Sequence, residues 1–241
     1  MKKLFFLFAC SLFIFAAQAQ TATVTADTIV DKYIKAVGGA DKWKKLNGMR
    51  QTGSVIVQGM TIPFTTTQAR PNLMRAEGDF QGQKFIDAYD GTVAWNQSPF
   101  ATMNKPVKKT EDETKEAAKD AFEDDFIDYK TKGHSIELQG NEEIEGTKCY
   151  KISLKRKVGD EKIYYFDAES FVPVMVRAFA SAGPMKGQAM ETYLSDYKDE
   201  GGLMLPRTVE QKVKGQTVMT FKTDKVELNP TMDKTIFSFP K

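Results

Sequence analysis

The chain has 241 residues, of which 34 are basic and 32 acidic, with one histidine and two cysteines. The near balance of charge argues against nucleic acid or another polyanion as the main partner, and the length fits one domain with a sizeable core. One histidine on its own builds neither a histidine-based triad nor a two-histidine metal site.

Met1-Lys2-Lys3 precedes an apolar run from Leu4 to Ala17, closed by the A-x-A site Ala17-Gln18-Ala19. This predicts an export signal over 1–19 and a mature chain from Gln20. The alternatives are an uncleaved anchor and a lipoprotein acylated at Cys10, after Leu7-Phe8-Ala9. Cleavage removes Lys2 and Lys3, which leaves acids and bases equal in number. It also leaves Cys149 without a cysteine partner; between Lys148 and Tyr150 it reads as a small, half-buried strand residue.

Gln20 to Ala26 reads as a tether. Asp27 can cap a helix through Val37, with Ile29, Val30, Tyr33, Ile34 and Val37 on one face and Gly38-Gly39 as its stop. A short helical segment, Asp41 to Leu46, carries Trp43. Strands follow at Met49–Gln58, Met60–Arg70, Asn72–Phe80, Gln83–Tyr89 and Thr92–Asn96, with turns at Gly59, Gln81-Gly82 and Asp90-Gly91. Pro63 predicts an edge position or a bulge for the second. A loop from Gln97 to Lys109 carries Pro99, Pro106 and three lysines.

Thr110 to Lys132 reads as one long helix. Ala118, Ala121, Phe122, Phe126 and Tyr129 share a face, acids crowd the rest, and Thr110 with Glu113 forms a capping box. His134 follows the stop at Gly133, where a cation suits a helix C-terminus. Strands resume at Ser135–Glu142, Lys148–Lys157, Glu161–Asp167, Pro173–Phe179, Gly187–Lys198, Leu203–Val213 and Thr217–Leu228. Their spacing predicts an antiparallel meander, each strand beside the last. Ile236, Phe237 and Phe239 in the tail pack on the sheet edge. Tyr164-Tyr165-Phe166 and Val174-Met175-Val176 are apolar on both strand phases, so both sheet faces meet something dry. A well-covered sandwich satisfies this, and so does a core on one face with a cavity on the other.

No G-x-S-x-G, H-E-x-x-H, Walker A or C-x-x-C motif occurs. Asp124, Asp125 and Asp128 lack the spacing of a calcium loop. No pair of carboxylates is marked for glycoside hydrolysis, although an exported hydrolase using acids on a concave sheet remains a rival reading. Methionines spread through the chain suit irregular apolar space, as an acyl site or as ordinary core filling.

The ordered segments DTIVDKYIKAVGGADKWKKL, MRQTGSVIVQG, AYDGTVAWNQSPF, YYFDAESFVPVMVRA and YLSDYKDEGGLMLPRTVE resemble the periplasmic lipoprotein carriers, the LolA/LolB-like outer-membrane lipoprotein-sorting family. The resemblance covers 20–241 as one domain. It implies a mainly β, α+β fold: a curved antiparallel sheet, or incomplete β-barrel, closed by helices over a hydrophobic cavity. It implies a periplasmic carrier of lipid or of lipoprotein acyl chains, with no catalysis, no cofactor and no metal. Its partners would include an inner-membrane release complex and an outer-membrane acceptor, with no nucleic acid among them. The acidic helix would be part of the lid, with Phe122 and Phe126 as its contacts. Ile62, Phe64, Phe85, Trp95, Tyr165, Met175 and Val176 would line the cavity; a one-residue slip in strand phase would turn each of them to the other face. The alternative is a non-catalytic envelope module that docks a protein through a sheet face or edge.

Overall fold

The computed structural model describes residues 24–120, 122–181 and 186–240. The expected export segment with Cys10, and also Ala121, the Gly183-Pro184 turn and Met185, lie outside them.

Helix α1 (Ala26–Ala36) is capped by Thr25, whose hydroxyl accepts the N–H of Thr28. Asp27, expected as the cap, therefore sits two positions past it, in the first turn. Its carboxylate accepts the Tyr129 hydroxyl and pairs with Lys130. The apolar stripe of α1 is fully used: Ile29, Val30, Tyr33 and Val37 are buried against Ile152, Leu154 and Phe166. Helix α2 (Ala40–Lys45) follows at once, and the indole N–H of its Trp43 donates to the carbonyl of Val37 at 3.1 Å. Gly38, with φ +107°, permits this corner, since a Cβ there would stand 2.2 Å from the carbonyl oxygen of Gly202.

The strands are β1 (Gly48–Val57), β2 (Met60–Ala69), β3 (Leu73–Phe80), β4 (Gln83–Tyr89), β5 (Ala94–Gln97), β6 (Val107–Lys108), β7 (Ser135–Ile144), β8 (Thr147–Lys155), β9 (Glu161–Asp167), β10 (Pro173–Phe179), β11 (Ala189–Glu200), β12 (Leu203–Val213) and β13 (Gln216–Leu228). They form one curved, unclosed sheet in the order β6-β5-β4-β3-β2-β1-β13-β12-β11-β10-β9-β8-β7. The expected meander holds within each half but not between them. The halves join through the first and last strands, with Met49 opposite Leu228 and Val55 opposite Phe221. The two edges, β6 and β7, are neighbours in sequence, so the segment 109–134 crosses from one edge of the sheet to the other. Strand β2 is internal rather than an edge; Pro63 lies just past the end of its ladder with β3, which begins at Phe64 opposite Gly78. The two-residue β6 falls inside what the sequence reads as loop.

The long acidic helix is shorter than predicted. Helix α3 (Glu111–Ala118) forms with its capping box, Thr110 to Glu113, but Ala118 is exposed and residues 122–133 run as turns. The acids themselves break it. Asp124 Oδ1 accepts the N–H of Phe126 at 2.8 Å, and Asp128 takes φ +51°. Aspartates that bond nearby backbone compete with the helical ladder. The N–H of Phe122 goes instead to the carbonyl of Pro71 at 3.3 Å. Phe122 and Phe126 are both buried, in two different clusters. Phe122 packs with Leu46, Met49, Leu203 and Leu205. Phe126 and Tyr129 join the core under α1, where the Phe126 ring meets Tyr164 edge-on at 4.7 Å.

Cross-strand partners share a face, so the ladders sort the side chains. On the helix-covered inner face, one row runs Ile152, Tyr164, Val176, Thr192, Gln211 and Met219. The next phase, Lys151, Tyr165, Met175 and Tyr193, faces outward and packs with Cys149. Burial pushes the Cys149 thiol up to about 11. At pH 8 only about a thousandth of it would be thiolate. We expect no labelling by a thiol reagent in the native protein and stoichiometric labelling on unfolding, read by mass spectrometry. Rapid native labelling would contradict the packing.

The tail lies on the outer face beside the β6 edge. A 3-10 turn, Lys234–Phe237, buries Phe237 completely, and Phe239 meets Trp95 edge-on at 6.0 Å.

Candidate functional site

An apolar groove of about 380 Å³ lies on the inner face, lined chiefly by Val55, Val57, Ile62, Phe64, Ala76, Phe85, Met219 and Phe221. The ladders explain its position. Val55 stands opposite Ile62 and Phe221, Phe64 opposite Gly78, and Gly78 opposite Phe85. Each pair puts two side chains of one phase side by side, and Gly78 leaves the middle of the wall low. Phe64 and Phe221 meet edge-on at 5.4 Å. Polar groups stand on the β4–β5 side: Asp87, Asn96, Gln97 and Ser98. Asp87 is held by Lys109 at 2.6 Å.

Ile62, Phe64 and Phe85 are thus brought together as the sequence suggests. Val176 shares the inner face but stands in the other half of the sheet, outside the groove. Phe122 and Phe126 also lie on the inner side, packed into the clusters described above. Trp95, Tyr165 and Met175 are on the outer face. Trp95 belongs to the phase Thr67, Arg75, Ala88, and its indole N–H donates to the carbonyl of Phe237 at 2.8 Å. For these three the strand phase is one residue away from the expected one. Sequence reasoning missed Val55, Val57, Ala76, Met219 and Phe221. The apolar run in SVIVQ and the alternation in VMTFK mark four of them, but only the pairing of β1 with β13 places them together.

A second inner space, about 280 Å³, lies beneath the crossing segment. It is polar, with Gln51, Gln68, Asp120, Glu123, Asp124, Asp125, Arg156 and Lys162 around it. Arg156, its side chain only 3% exposed, pairs with Asp160, with Asp120 at 3.3 Å and with Asp125 at 3.5 Å, and donates to the carbonyl of Lys119 at 2.9 Å. Burial works against its charge, but these carboxylates raise its pKa above the usual Arg value. Asp124 is half-buried and accepts the Tyr33 hydroxyl. Burial raises its carboxyl above the ordinary range, against the two hydrogen bonds it accepts. His134 does not act as a cation: its Nδ1 accepts the Lys157 N–H at 3.1 Å, and burial lowers its pKa.

The Tyr33–Asp124 contact gives a direct prediction. Tyr33→Phe removes a hydroxyl from a half-buried acceptor, which costs about 1 kcal/mol. The urea midpoint of the variant should fall; an unchanged midpoint would show that Asp124 finds another donor.

No family model matches the chain, and no curated relative matches it. Solved structures do share its fold. A DUF1329 family protein from Desulfovibrio piger superposes with a TM-score of 0.59 at 11% identity, covering 90% of this chain and 98% of the other. A protein described as an outer membrane lipoprotein-sorting protein domain, from Vibrio parahaemolyticus, gives 0.56 at 10% identity over 87% of this chain and 94% of that one. The LolA superfamily protein NE2245 from Nitrosomonas europaea gives 0.55 at 13% identity over 90% and 98%. The chain therefore has a LolA-like fold, an open curved antiparallel sheet with its helices on the inner face.

Proposed function

We propose that this protein is a non-catalytic periplasmic carrier that holds an acyl chain of a lipid or lipoprotein in the inner groove. The observation that carries this reading is the groove itself: about 380 Å³ of space walled chiefly by aliphatic and aromatic side chains, where the second inner space is polar. Its size falls within the range of ligand sites. Apolar lining of this kind rewards methylene groups and gives little to a polar substrate. An acyl segment of about eight methylenes would contribute roughly 6 kcal/mol before ordering costs, which corresponds to reversible binding between millimolar and micromolar. A carrier must release its cargo, and that range permits release to an acceptor. The fold shared with a protein described as lipoprotein-sorting is consistent with this reading.

The test is to fill the groove. Ala76 lies on its floor and is half-buried. Ala76→Trp should weaken uptake of a fluorescent fatty acid by roughly tenfold while leaving the melting temperature near wild type. Wild-type uptake by a folded Ala76→Trp protein would overturn the assignment. Native mass spectrometry of protein purified from its own cells, followed by organic extraction, would name the cargo class.

A further inference from the structure

The groove sits at one end of the strands, and that end differs from the rest of the surface. Val57, Ile62, Phe85 and Met219 all lie within a few residues of the β1–β2, β3–β4 and β12–β13 turns, at Gln58-Gly59, Gln81-Gly82 and Lys214-Gly215. The loop after β5 leaves the sheet at this same end, since Gln97 is opposite Ile86 and Ala94 opposite Tyr89. Phe100 and Met103 in that loop are each 79% exposed. Phe179, which ends β10, and Val218, early in β13, are also exposed, and by register both belong to this end.

The charge here leans positive, although Asp79 and Glu161 are exposed at this end. No acid occurs between Asp90 and Glu111, whereas Lys105, Lys108 and Lys109 do. Lys84, Lys105, Lys186 and Lys214 are exposed around the same turns, and among the described residues none pairs with a carboxylate. Asp79, beside Lys84, turns back to accept the N–H of Gly82. In a chain whose charges otherwise balance, exposed aromatic and thioether side chains among free lysines complement a surface that is apolar beneath and anionic above.

We propose that this end of the sheet docks on an anionic lipid bilayer, with Phe100 and Met103 entering the interfacial layer and the lysines facing lipid phosphates. The docking rests on exposure and charge and is independent of the carrier reading. The two meet at Phe100, whose ring packs 5.9 Å from Phe85 on the groove wall. Docking would set the groove mouth against the membrane, so that an acyl chain need not cross water.

The experiment is co-sedimentation of the protein with vesicles of phosphatidylcholine, with and without phosphatidylglycerol. Binding should require phosphatidylglycerol and fall as salt rises. The M103D/K105E double variant should bind roughly tenfold more weakly. Neither residue lines the groove, and Asp tolerates the φ of +51° at position 103, so folding and fatty-acid uptake from solution should be unchanged. In a separate Phe100→Trp variant the indole emission should shift to the blue on vesicle addition. Absence of binding, equal binding to both vesicle types, or unaltered binding by the double variant would overturn the proposal. Vesicle binding without fatty-acid uptake would uphold it and remove the carrier reading; uptake without vesicle binding would do the reverse.

Discussion

Arg156→Ala is expected to destabilise the protein by about 3 kcal/mol and to loosen the crossing segment before the sheet melts. The guanidinium is nearly enclosed, and it ties the β8–β9 hairpin to Lys119, Asp120 and Asp125. Removing it strands partly buried carboxylates, which is where most of the cost arises. Hydrogen exchange should rise first in 119–134. The effect should also depend on pH. Burial alone would raise the Asp160 carboxyl, but the hydrogen bond and charge of Arg156 outweigh it and hold the pKa below the ordinary 3.8. A depressed folded pKa stabilises above the unfolded value and loses that stabilisation as pH falls through the folded one. The gap between wild type and Arg156→Ala should therefore be full near neutrality and narrow below about pH 3.8. A gap constant with pH, or no change in exchange over 119–134, would show that the segment is held by its apolar contacts alone.

Phe237→Ala should cost about 3–5 kcal/mol, because a completely buried ring is replaced by a cavity. The tail does more than cover. Its backbone accepts the Trp95 indole N–H through Phe237 and the Arg75 guanidinium through Ile236 at 2.9 Å. Arg75 in turn lies over the Trp95 ring at 5.5 Å. If the ring anchors the tail, the variant should expose Trp95 as well as lower the denaturant midpoint. Trp95 emission should then shift to the red under conditions where far-UV dichroism is still native. A lowered midpoint with unshifted emission would mean that the cavity is filled without release of the tail.

Much of the fold could be read from local signals. The first helix, twelve of the strands to within a few residues, and the capping box at Thr110 follow from periodicity and turn chemistry. What failed depends on information that is not local. Phe122, Phe126 and Tyr129 have helical spacing, yet Asp124 and Asp128 spend their side chains and φ angles on turns, and tertiary burial collects the rings without a helix. Trp95, Tyr165 and Met175 are apolar and strand-borne, but inward and outward differ by one residue, and both faces of this sheet are covered. The groove was half legible for the same reason. Ile62, Phe64 and Phe85 lie on strands joined by tight turns, whereas Met219 and Phe221 reach them only through a pairing between opposite ends of the chain.

That pairing also shapes how the protein folds. Met49 and Leu228 must meet across nearly the whole sequence. Closing a loop of that length costs roughly 4–5 kcal/mol of chain entropy by the logarithmic law, before any contact repays it. The hairpins β1 to β6 and β7 to β13 close over short distances and can form first. By this reasoning the β1–β13 seam is expected to complete the sheet late, and until it does both meanders present an unpaired strand. Substitutions at the seam, such as Val55→Ala, should speed unfolding. A chain with this connectivity gains from meeting few copies of itself before the seam is sealed.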